Sequence, residues 1–303
     1  MAQFDEPTGM NEVACVGAGV MGHSWATLFA MKGHRVWLQD ISEENLDRAL
    51  RWIEEALGLF SEKGLIGERA ADAALGRVKP TTDLAEAVSQ VDFVMESVTE
   101  SYDVKKQVFR EMDEAAPEET ILASGSSALL MTEIQKATGS PWRCIGAHGF
   151  NPPHLIPLVE LVPGEATSEQ TVESTFRLMK GLGKVPIVMR KEVAGYLGNR
   201  MQNSVFRAAY DIVDSGIASV EDVDLAMSTG LGIRWALYGP FLVSYFNTPS
   251  HLGRRRRTSG LVAEGYEEYG LLRGRSIDDM VRWRNGRLID VLRVLGHLPE
   301  SEA

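Results

Sequence analysis

A glycine-rich segment near the start of the chain constrains its fold more than any other feature. The segment GAGVMG at 17–22 follows a short apolar run at 13–16 and precedes a helix-like stretch that stops at Gly33. A second strand-like run at 35–39 then ends in Asp40. Three glycines in a loop are a weak signal by themselves, but this pattern between a strand and a helix predicts a βαβ unit that binds a dinucleotide.

Each position of this loop suits the binding of a diphosphate. Gly17 permits a tight turn, Gly19 lets the backbone approach the phosphates, and Gly22 allows the helix to pack closely on the strand. Val20 and Met21 lie at the start of the helix, whose N-terminus faces the phosphate charge. The alternative interpretation of the segment is a purely structural turn between a strand and a helix.

Asp40 follows the loop at the interval expected for an acid that binds the ribose hydroxyls of the adenosine half of the cofactor. A carboxylate at this position would repel a 2′-phosphate, so the sequence favours NAD over NADP. An ordinary cap at the end of a strand is the alternative role for this residue.

The distribution of strand-like and helical patterns predicts two domains. Further strand-like runs lie at 91–98, 120–124 and 185–189. From Val193 to Ile212, by contrast, apolar residues recur every three or four positions, as in a helix. A chain of 303 residues, 44% of them hydrophobic, can form two moderate cores. We therefore predict an α/β fold, with a Rossmann-type doubly wound sheet in an NAD-binding domain of residues 1–191 and an all-α domain of residues 192–303.

The helical part has predicted boundaries of its own. Its first helix is expected to run from 193 to Gly216, and the next to stop at Gly230-Leu231-Gly232. Further helices are expected over about 260–269 and 276–295.

The net charge of −11 makes some classes of partner unfavourable. An acidic chain disfavours nonspecific binding to nucleic acid or to an anionic membrane surface. The two cysteines, Cys15 and Cys144, lie inside apolar runs, which indicates buried thiols in a reducing compartment rather than a disulfide. No apolar stretch approaches the length of a membrane span, and no group of His, Cys and Asp residues has metal-ligand spacing. We therefore predict a cytoplasmic protein without a metal.

A histidine and a glutamate form the candidate catalytic pair. The runs CIGAH at 144–148 and IPLVELV at 156–162 indicate two strands, joined through the turn Asn151-Pro152-Pro153. If the second strand folds back antiparallel, His148 lies opposite Glu160. A carboxylate that holds one imidazole nitrogen leaves the other free to take a proton, so the pair predicts a general base.

Five segments carry a resemblance to a known family. They are, in chain order, GAGVMGHSWATLFAMKGHRVWLQD, DFVMESVTES, SGSSALLMTEI, GAHGFNPPHLIPLVELV and KEVAGYLGNRMQNSV. In this order they resemble the 3-hydroxyacyl-CoA dehydrogenase superfamily along nearly the whole chain. Within this superfamily the chain looks most like the lambda-crystallin branch, which includes L-gulonate 3-dehydrogenase. This closer resemblance is carried by the Asn-Pro-Pro turn, by GLGIRWALYGPF at 230–241 and by the tail segment WRNGRLIDVLRVL. L-Carnitine dehydrogenase is also similar.

The resemblance implies roles for individual residues. The catalytic set that it implies is His148 as the base, Glu160 as its orienting partner, and Ser127 and Asn199 as hydrogen-bonding partners of the substrate oxygen. Glu100 and Lys105 match positions beside the nicotinamide end of the cleft, and the glycine loop and its acid match the NAD site. At Gly149 and in the segment 125–128 this sequence departs from the acyl-CoA enzymes, so the substrate pocket is the part of the site to which the resemblance applies least.

The predicted reaction is the NAD-dependent oxidation of the secondary hydroxyl of a small 3-hydroxy acid, either gulonate-like or carnitine-like. A 3-hydroxyacyl-CoA or carrier-bound substrate is the alternative, and a non-catalytic crystallin-like NAD-binding protein is a third interpretation. Arg234 is predicted to pair with a substrate carboxylate, with an ion pair between domains or subunits as its alternative role. The resemblance also implies that residues 192–303 form a substrate and dimerisation domain, and hence a homodimer. The acidic charge and the lack of a long apolar stretch predict no nucleic acid or membrane partner.

Overall fold

The computed structural model describes residues 9–247, 271 and 274–298 of the chain. The chain divides into two compact units, with the boundary between Asn203 and Ser204. The first unit contains a sheet with flanking helices, whereas the described elements of the second unit are all helical. The predicted boundary after residue 191 stays a prediction.

Eight strands form one sheet in the first unit. They are β1 (Glu12–Val16), β2 (Arg35–Gln39), β3 (Val78–Thr81), β4 (Phe93–Glu96), β5 (Ile121–Ser124), β6 (Cys144–Gly149), β7 (Leu158–Pro163) and β8 (Val185–Val188). Their order across the sheet is β3-β2-β1-β4-β5-β6-β7-β8. Neighbouring strands are parallel except for β6 and β7, which are antiparallel. The predicted Rossmann-type α/β fold with a helical C-terminal part is confirmed.

Helices alternate with the strands and then follow them. The described helices are α1 (Val20–Met31), α2 (Glu43–Glu62), α3 (Glu68–Leu75), α4 (Leu84–Val88), α5 (Tyr102–Ala115), α6 (Met131–Gln135), α7 (Glu169–Gly181), α8 (Gly198–Asp214), α9 (Val220–Ala226), α10 (Gly232–Leu237), α11 (Pro240–Asn247) and α12 (Ile277–Val294). Within the described ranges, none of them combines the length and apolarity needed to cross a membrane.

Both faces of the sheet are buried. In β1, Val13 and Cys15 belong to one apolar cluster, to which α1, α2, α3 and α7 contribute, while Ala14 and Val16 belong to a second, to which α4, α5 and α6 contribute. Alternate side chains of a strand point to opposite faces, so a strand that is covered on both faces is apolar at every position. This explains the continuous apolar runs in the sequence.

The chain changes its direction of winding between β1 and β4. From β1 it passes to β2 and β3 on one side, and it then crosses to β4 on the other side. At such a point the loops after the two strands diverge and leave a crevice at the carboxyl ends of the strands, where ligands bind in sheets of this kind. The segments that follow β1, β4, β5 and β6 border this crevice.

The long helix of the C-terminal part begins later than predicted. It starts at Gly198 rather than at 193, because Gly195 and Tyr196 form a turn with positive φ angles of 73° and 46°. A residue with such a positive φ angle cannot continue a right-handed helix, so α8 begins only after this turn.

The helix that was expected to stop at Gly230 does not stop there. The backbone continues through a π-helical turn, Met227–Leu231, into α10. A Cβ atom at Gly232 would lie 2.8 Å from the Met227 carbonyl oxygen, so a glycine at this position allows the wide turn. The helix expected over 276–295 is observed as α12, and the one expected over 260–269 lies outside the described residues.

Candidate active site

The glycine loop between β1 and α1 is closely packed at two glycines and open at the third. Gly17 has a φ angle of 93°, which favours glycine, and a Cβ at Gly22 would lie 1.7 Å from the Gly17 carbonyl oxygen. At Gly19, an added Cβ would meet no heavy atom of the described residues within 4 Å. Val20 begins α1 and is exposed. The loop therefore has room for a diphosphate where Gly19 was predicted to admit one.

Asp40 fastens this loop to the end of β2. Its Oδ2 atom accepts a hydrogen bond from the backbone N–H of Ala18 at 2.9 Å. Its Oδ1 atom accepts from the Asn45 side chain at 2.9 Å and from the Ser42 backbone N–H at 3.2 Å. A carboxylate oxygen has two lone pairs, so Oδ2 keeps one for a ribose hydroxyl. Asp40 thus has a structural role and also fits the predicted acid of the dinucleotide site.

His148 and Glu160 face each other across β6 and β7, in the predicted register. His148 Nδ1 lies 2.8 Å from Glu160 Oε2, and both side chains are buried. An ionised carboxylate only accepts hydrogen bonds, so the hydrogen of the neutral imidazole is on Nδ1 and Nε2 is left with a free lone pair. This tautomer is the one that a general base requires.

Glu160 is held on its other side by the start of α8. Its Oε1 atom accepts hydrogen bonds from the backbone N–H groups of Leu197 at 3.0 Å and Gly198 at 2.8 Å. Burial opposes ionisation, but the hydrogen bonds from His148 and from these two N–H groups outweigh it and lower the pKa of the Glu160 carboxyl below its usual value. Glu160 is therefore ionised at neutral pH and can stabilise a protonated His148.

Ser127 and Asn199, which are far apart in sequence, are neighbours in the structure. The Asn199 side-chain amide donates a hydrogen bond to the Ser127 carbonyl oxygen at 3.1 Å. Ser127 lies in the loop of residues 125–130 between β5 and α6, the Ser127 loop. Glu100 also holds this loop, because its Oε1 atom accepts hydrogen bonds from the Ser127 backbone N–H at 2.9 Å and from the Ser126 hydroxyl at 2.7 Å. Burial raises the pKa of the Glu100 carboxyl, but these hydrogen bonds and the Lys105 ammonium lower it by more. The net pKa therefore lies below its usual value.

Lys105 connects Glu100 with a second, fully buried carboxylate. Its Nζ atom lies 2.6 Å from Glu96 Oε1 and 3.5 Å from Glu100 Oε2. Glu96 also accepts a hydrogen bond from the Ser124 hydroxyl at 2.7 Å. A carboxylate within the apolar run of β4 was the signal in the sequence that could have identified Glu96 as part of the site. This network fixes the carboxyl ends of β4 and β5 relative to α5.

A cavity of about 500 Å³ opens at these strand ends. Six residues predicted for the site line it, namely Met21, Glu100, Lys105, Ser127, His148 and Asn199. Glu160 does not line it, because it lies behind His148. Asn151 and Gln202 also line the cavity and add two side-chain amides to its wall. The structure thus brings three residues of the predicted catalytic set, His148, Ser127 and Asn199, and the nicotinamide-end residues to one cavity, next to the glycine loop.

The residues present fit NAD. Besides the open space at Gly19 and the acid at the end of β2, Ser97 lines the cavity, and its buried hydroxyl has no hydrogen-bond partner among the described residues. Buried polar groups are nearly always paired in proteins, so an unpaired hydroxyl beside the loop is a position for a polar group of a ligand.

Tyr196 is not evident from the sequence as a site residue, because residues 193–216 have the pattern of one continuous helix. Its side chain is only 1% exposed, and its ring lies 5.6 Å from the His148 ring between centroids. Its hydroxyl donates a hydrogen bond to the Leu129 carbonyl oxygen at 2.6 Å. The strained backbone of Tyr196 also precedes the two N–H groups that hold Glu160. Tyr196 therefore links the Ser127 loop, His148 and Glu160.

Tyr196→Phe is expected to lower the free energy of unfolding by about 1 kcal/mol, because the half-buried Leu129 carbonyl loses its partner. We also expect kcat to fall several-fold, since the Ser127 loop is released. Tyr210→Phe is the matched control, because this tyrosine is exposed on α8 and does not line the cavity. Urea unfolding and steady-state kinetics test both variants, and equal kcat values would contradict the link to the site.

Arg234 lies in the second unit, on α10. It lines a cavity of about 200 Å³ within that unit, together with Tyr238, Phe246 and Arg284. Its predicted pairing with a substrate carboxylate stays a prediction.

Comparison with known proteins identifies related chains along the whole sequence. A model of the "3-hydroxyacyl-CoA dehydrogenase, NAD binding domain" matches residues 12–193, and one of the "3-hydroxyacyl-CoA dehydrogenase, C-terminal domain" matches residues 195–284. An L-carnitine dehydrogenase of Nocardiopsis dassonvillei is 34% identical over 319 residues, which cover 98% of this chain and 95% of the relative. Lambda-crystallin of Oryctolagus cuniculus is 39% identical over 260 residues, which cover 86% of this chain and 82% of the relative.

A solved structure has the same fold. The 3-hydroxyacyl-CoA dehydrogenase from Archaeoglobus fulgidus has a TM-score of 0.71 and 29% sequence identity, over 95% of this chain and 99% of that one. The resemblance seen in the sequence is therefore confirmed, both for the family and for the fold.

Proposed function

Because this chain belongs to the 3-hydroxyacyl-CoA dehydrogenase family and is an NAD-dependent oxidoreductase of that family, we propose that it oxidises the secondary hydroxyl of a small 3-hydroxy acid to the ketone. The observation that carries this proposal is the 2.8 Å contact between His148 Nδ1 and the buried Glu160, with His148 in the wall of the cavity. This arrangement supplies a base for an alcohol that lies in the cavity.

In the proposed mechanism, Nε2 of His148 takes the proton of the substrate hydroxyl. Glu160 holds the Nδ1–H group in place and stabilises the imidazolium that forms. The Ser127 hydroxyl and the Asn199 amide hydrogen-bond the substrate oxygen and orient it toward His148. The glycine loop and Asp40 would hold NAD, and the bound cofactor would supply the acceptor for the hydride of the carbinol carbon.

Polar side chains that line the cavity, beside the apolar Met21, Val98 and Phe150, support a small hydroxy acid as the substrate. Asn151, Asn199 and Gln202 give its wall three amides, and Ser127 gives a hydroxyl. Such groups suit the hydroxyls and the carboxylate of a gulonate-like or carnitine-like acid, whereas an acyl chain requires apolar contacts. The relative of Nocardiopsis dassonvillei named L-carnitine dehydrogenase also supports a substrate without coenzyme A.

Gln202→Leu is expected to raise the KM for the hydroxy acid about tenfold, equivalent to about 1.4 kcal/mol, with a smaller effect on kcat. The physical reason is that an amide facing a polar substrate is replaced by an apolar side chain of similar size. Gln107→Leu, on the exposed surface of α5, is the matched control. Steady-state kinetics check the prediction, and unchanged KM values for all polar acids would show that Gln202 does not face the substrate.

One assay separates the proposal from its alternatives. NADH formation is measured with L-gulonate, L-carnitine, 3-hydroxybutyrate and 3-hydroxybutyryl-CoA, with the His148→Gln variant as the blank. We expect the highest kcat/KM with one of the two polar acids. A strong preference for the CoA ester would favour the alternative 3-hydroxyacyl-CoA dehydrogenase. NAD binding without turnover of any of the four would favour the crystallin-like interpretation. The homodimer and the cytoplasmic location remain part of the proposal.

A further inference from the structure

Lys184 is a buried cation close to the hairpin of β6 and β7, and we propose that it is a positioning residue for the His148–Glu160 pair. It lies between α7 and β8, and it is only 5% exposed. Its Nζ atom donates hydrogen bonds to the main-chain carbonyl oxygens of Pro153 and Ile156. Both carbonyls belong to the segment that joins β6 to β7. The inference rests on the proposed function, because it assigns Lys184 to the geometry of that same base.

The segment between β6 and β7 decides which residues face each other across the two strands. His148 is paired with Glu160 in an antiparallel register, and a slip of one residue would turn the side chain of one strand to the opposite face. The segment is long for a hairpin, so its conformation depends on contacts with the rest of the unit. Lys184 provides two of these contacts, and the next residue, Val185, donates its N–H to the Pro157 carbonyl oxygen at 2.8 Å.

A second path leads from Lys184 to His148 through packing. The Lys184 ammonium lies 5.3 Å from the centroid of the Trp25 ring, which is fully buried. Trp25 also packs against Gly149, where a Cβ atom would lie 2.6 Å from the ring. Gly149 directly follows His148 in β6. Displacement of the lysine therefore releases both the turn and the ring that supports the backbone of the histidine.

The chemistry of this contact requires a donor rather than a large apolar side chain. Among the described residues, the polar partners found for the ammonium are the two carbonyls, and burial lowers the pKa of Lys184 to about 8. The burial of a charge without a carboxylate partner costs free energy. Lys184 offsets this cost by supplying a donor to carbonyl oxygens that would otherwise lack a hydrogen bond. The neutral amine that forms above this pKa still donates two hydrogen bonds. The segment between β6 and β7 also contains a titratable group on which Lys184 acts, namely His154. Burial and the charges of His23 and Lys184 lower the pKa of its imidazole.

The test compares Lys184→Met with Arg143→Met. Arg143 is also a buried cation, 3% exposed, and it directly precedes β6, at the end of that strand away from His148. It donates hydrogen bonds to the main-chain carbonyl oxygens of Pro117 and Thr120 and to the Asp113 carboxylate. We expect kcat of Lys184→Met to fall about ten- to a hundredfold, because a shift of about 1 Å at a reacting group can cost about a hundredfold. The Kd of NADH should stay within about threefold. Arg143→Met should lose stability but keep kcat within about twofold.

A second readout does not depend on turnover. The imidazole C–H resonances of the six histidines are observed by NMR, and that of His148 is assigned by its loss in His148→Gln. We expect this resonance to move in Lys184→Met and to keep its position in Arg143→Met. If Lys184→Met does not fold, Lys184→Arg serves instead, since it keeps donors but displaces them, and an intermediate kcat and a moved resonance are expected.

The outcomes separate the two proposals. A moved His148 resonance together with a wild-type protein that oxidises none of the acids would retain the positioning role and overturn the proposed function. A wild-type protein that oxidises a hydroxy acid, with kcat and the His148 resonance unchanged in Lys184→Met, would overturn the positioning role alone.

Discussion

The His148→Gln variant is expected to lose kcat by about a hundred- to ten-thousandfold, the range that general-base catalysis contributes. Glutamine can still donate a hydrogen bond to Glu160 from its amide, so the hairpin of β6 and β7 and the buried carboxylate keep a partner. The variant has no group that takes a proton near neutral pH. We therefore expect the Kd of NADH to stay within about twofold of the wild-type value, while hydride transfer nearly stops.

The matched control for this variant is His154→Gln. His154 lies in the segment after β6 and contacts the Ser24 hydroxyl through Nδ1 at 2.7 Å, but it is not part of the wall of the cavity. Its replacement should leave kcat within a few-fold of wild type. Steady-state and single-turnover kinetics with NADH fluorescence measure both variants. A loss of less than about tenfold in His148→Gln would mean that another group removes the proton.

Gly22→Ala is expected to destabilise the protein and to weaken NAD binding together. A Cβ atom at this position would lie 1.7 Å from the Gly17 carbonyl oxygen, so α1 and the loop must move apart. Overpacking of this kind costs about 2–3 kcal/mol in the free energy of unfolding. Because the same loop forms the proposed diphosphate site, we also expect the Kd of NADH to rise by at least about tenfold. Urea unfolding and a fluorescence titration with NADH measure the two effects.

Gly19→Ala separates these two effects and serves as the control. In the described part of the chain nothing lies within 4 Å of the Cβ that it adds, and the φ angle of −72° at Gly19 is open to alanine. Its unfolding free energy should therefore match the wild type, while the added methyl group occupies space that a diphosphate needs and weakens NADH binding. Wild-type affinity in Gly19→Ala would mean that the cofactor does not approach the loop at this point.

Local patterns in the sequence were sufficient for the elements that carry the site. The apolar run, the glycine loop and the acid at the end of β2 predict the first βαβ unit, because turn geometry and strand alternation act over a few residues. The register of His148 with Glu160 also follows locally, since the two residues lie at equal distances in sequence from His154, in the middle of the segment that joins β6 to β7. The edge strand β3 escaped prediction, because its sequence, VKPT, is polar and its pairing is supplied by β2.

Contacts between distant segments were decided only by the tertiary structure. The Glu160 carboxylate is held by the N–H groups of Leu197 and Gly198, and these point at it because of the turn at Tyr196, which the helical pattern of the sequence conceals. Lys184 stabilises a turn with which it shares no sequence pattern. Periodicity reports which face of an element is buried, whereas the partner of a buried polar group depends on how the elements pack. The sequence alone therefore determined the glycine loop and the pairing of His148 with Glu160, which we propose as cofactor loop and catalytic pair, and the packing of the folded chain determined what holds that pair in place.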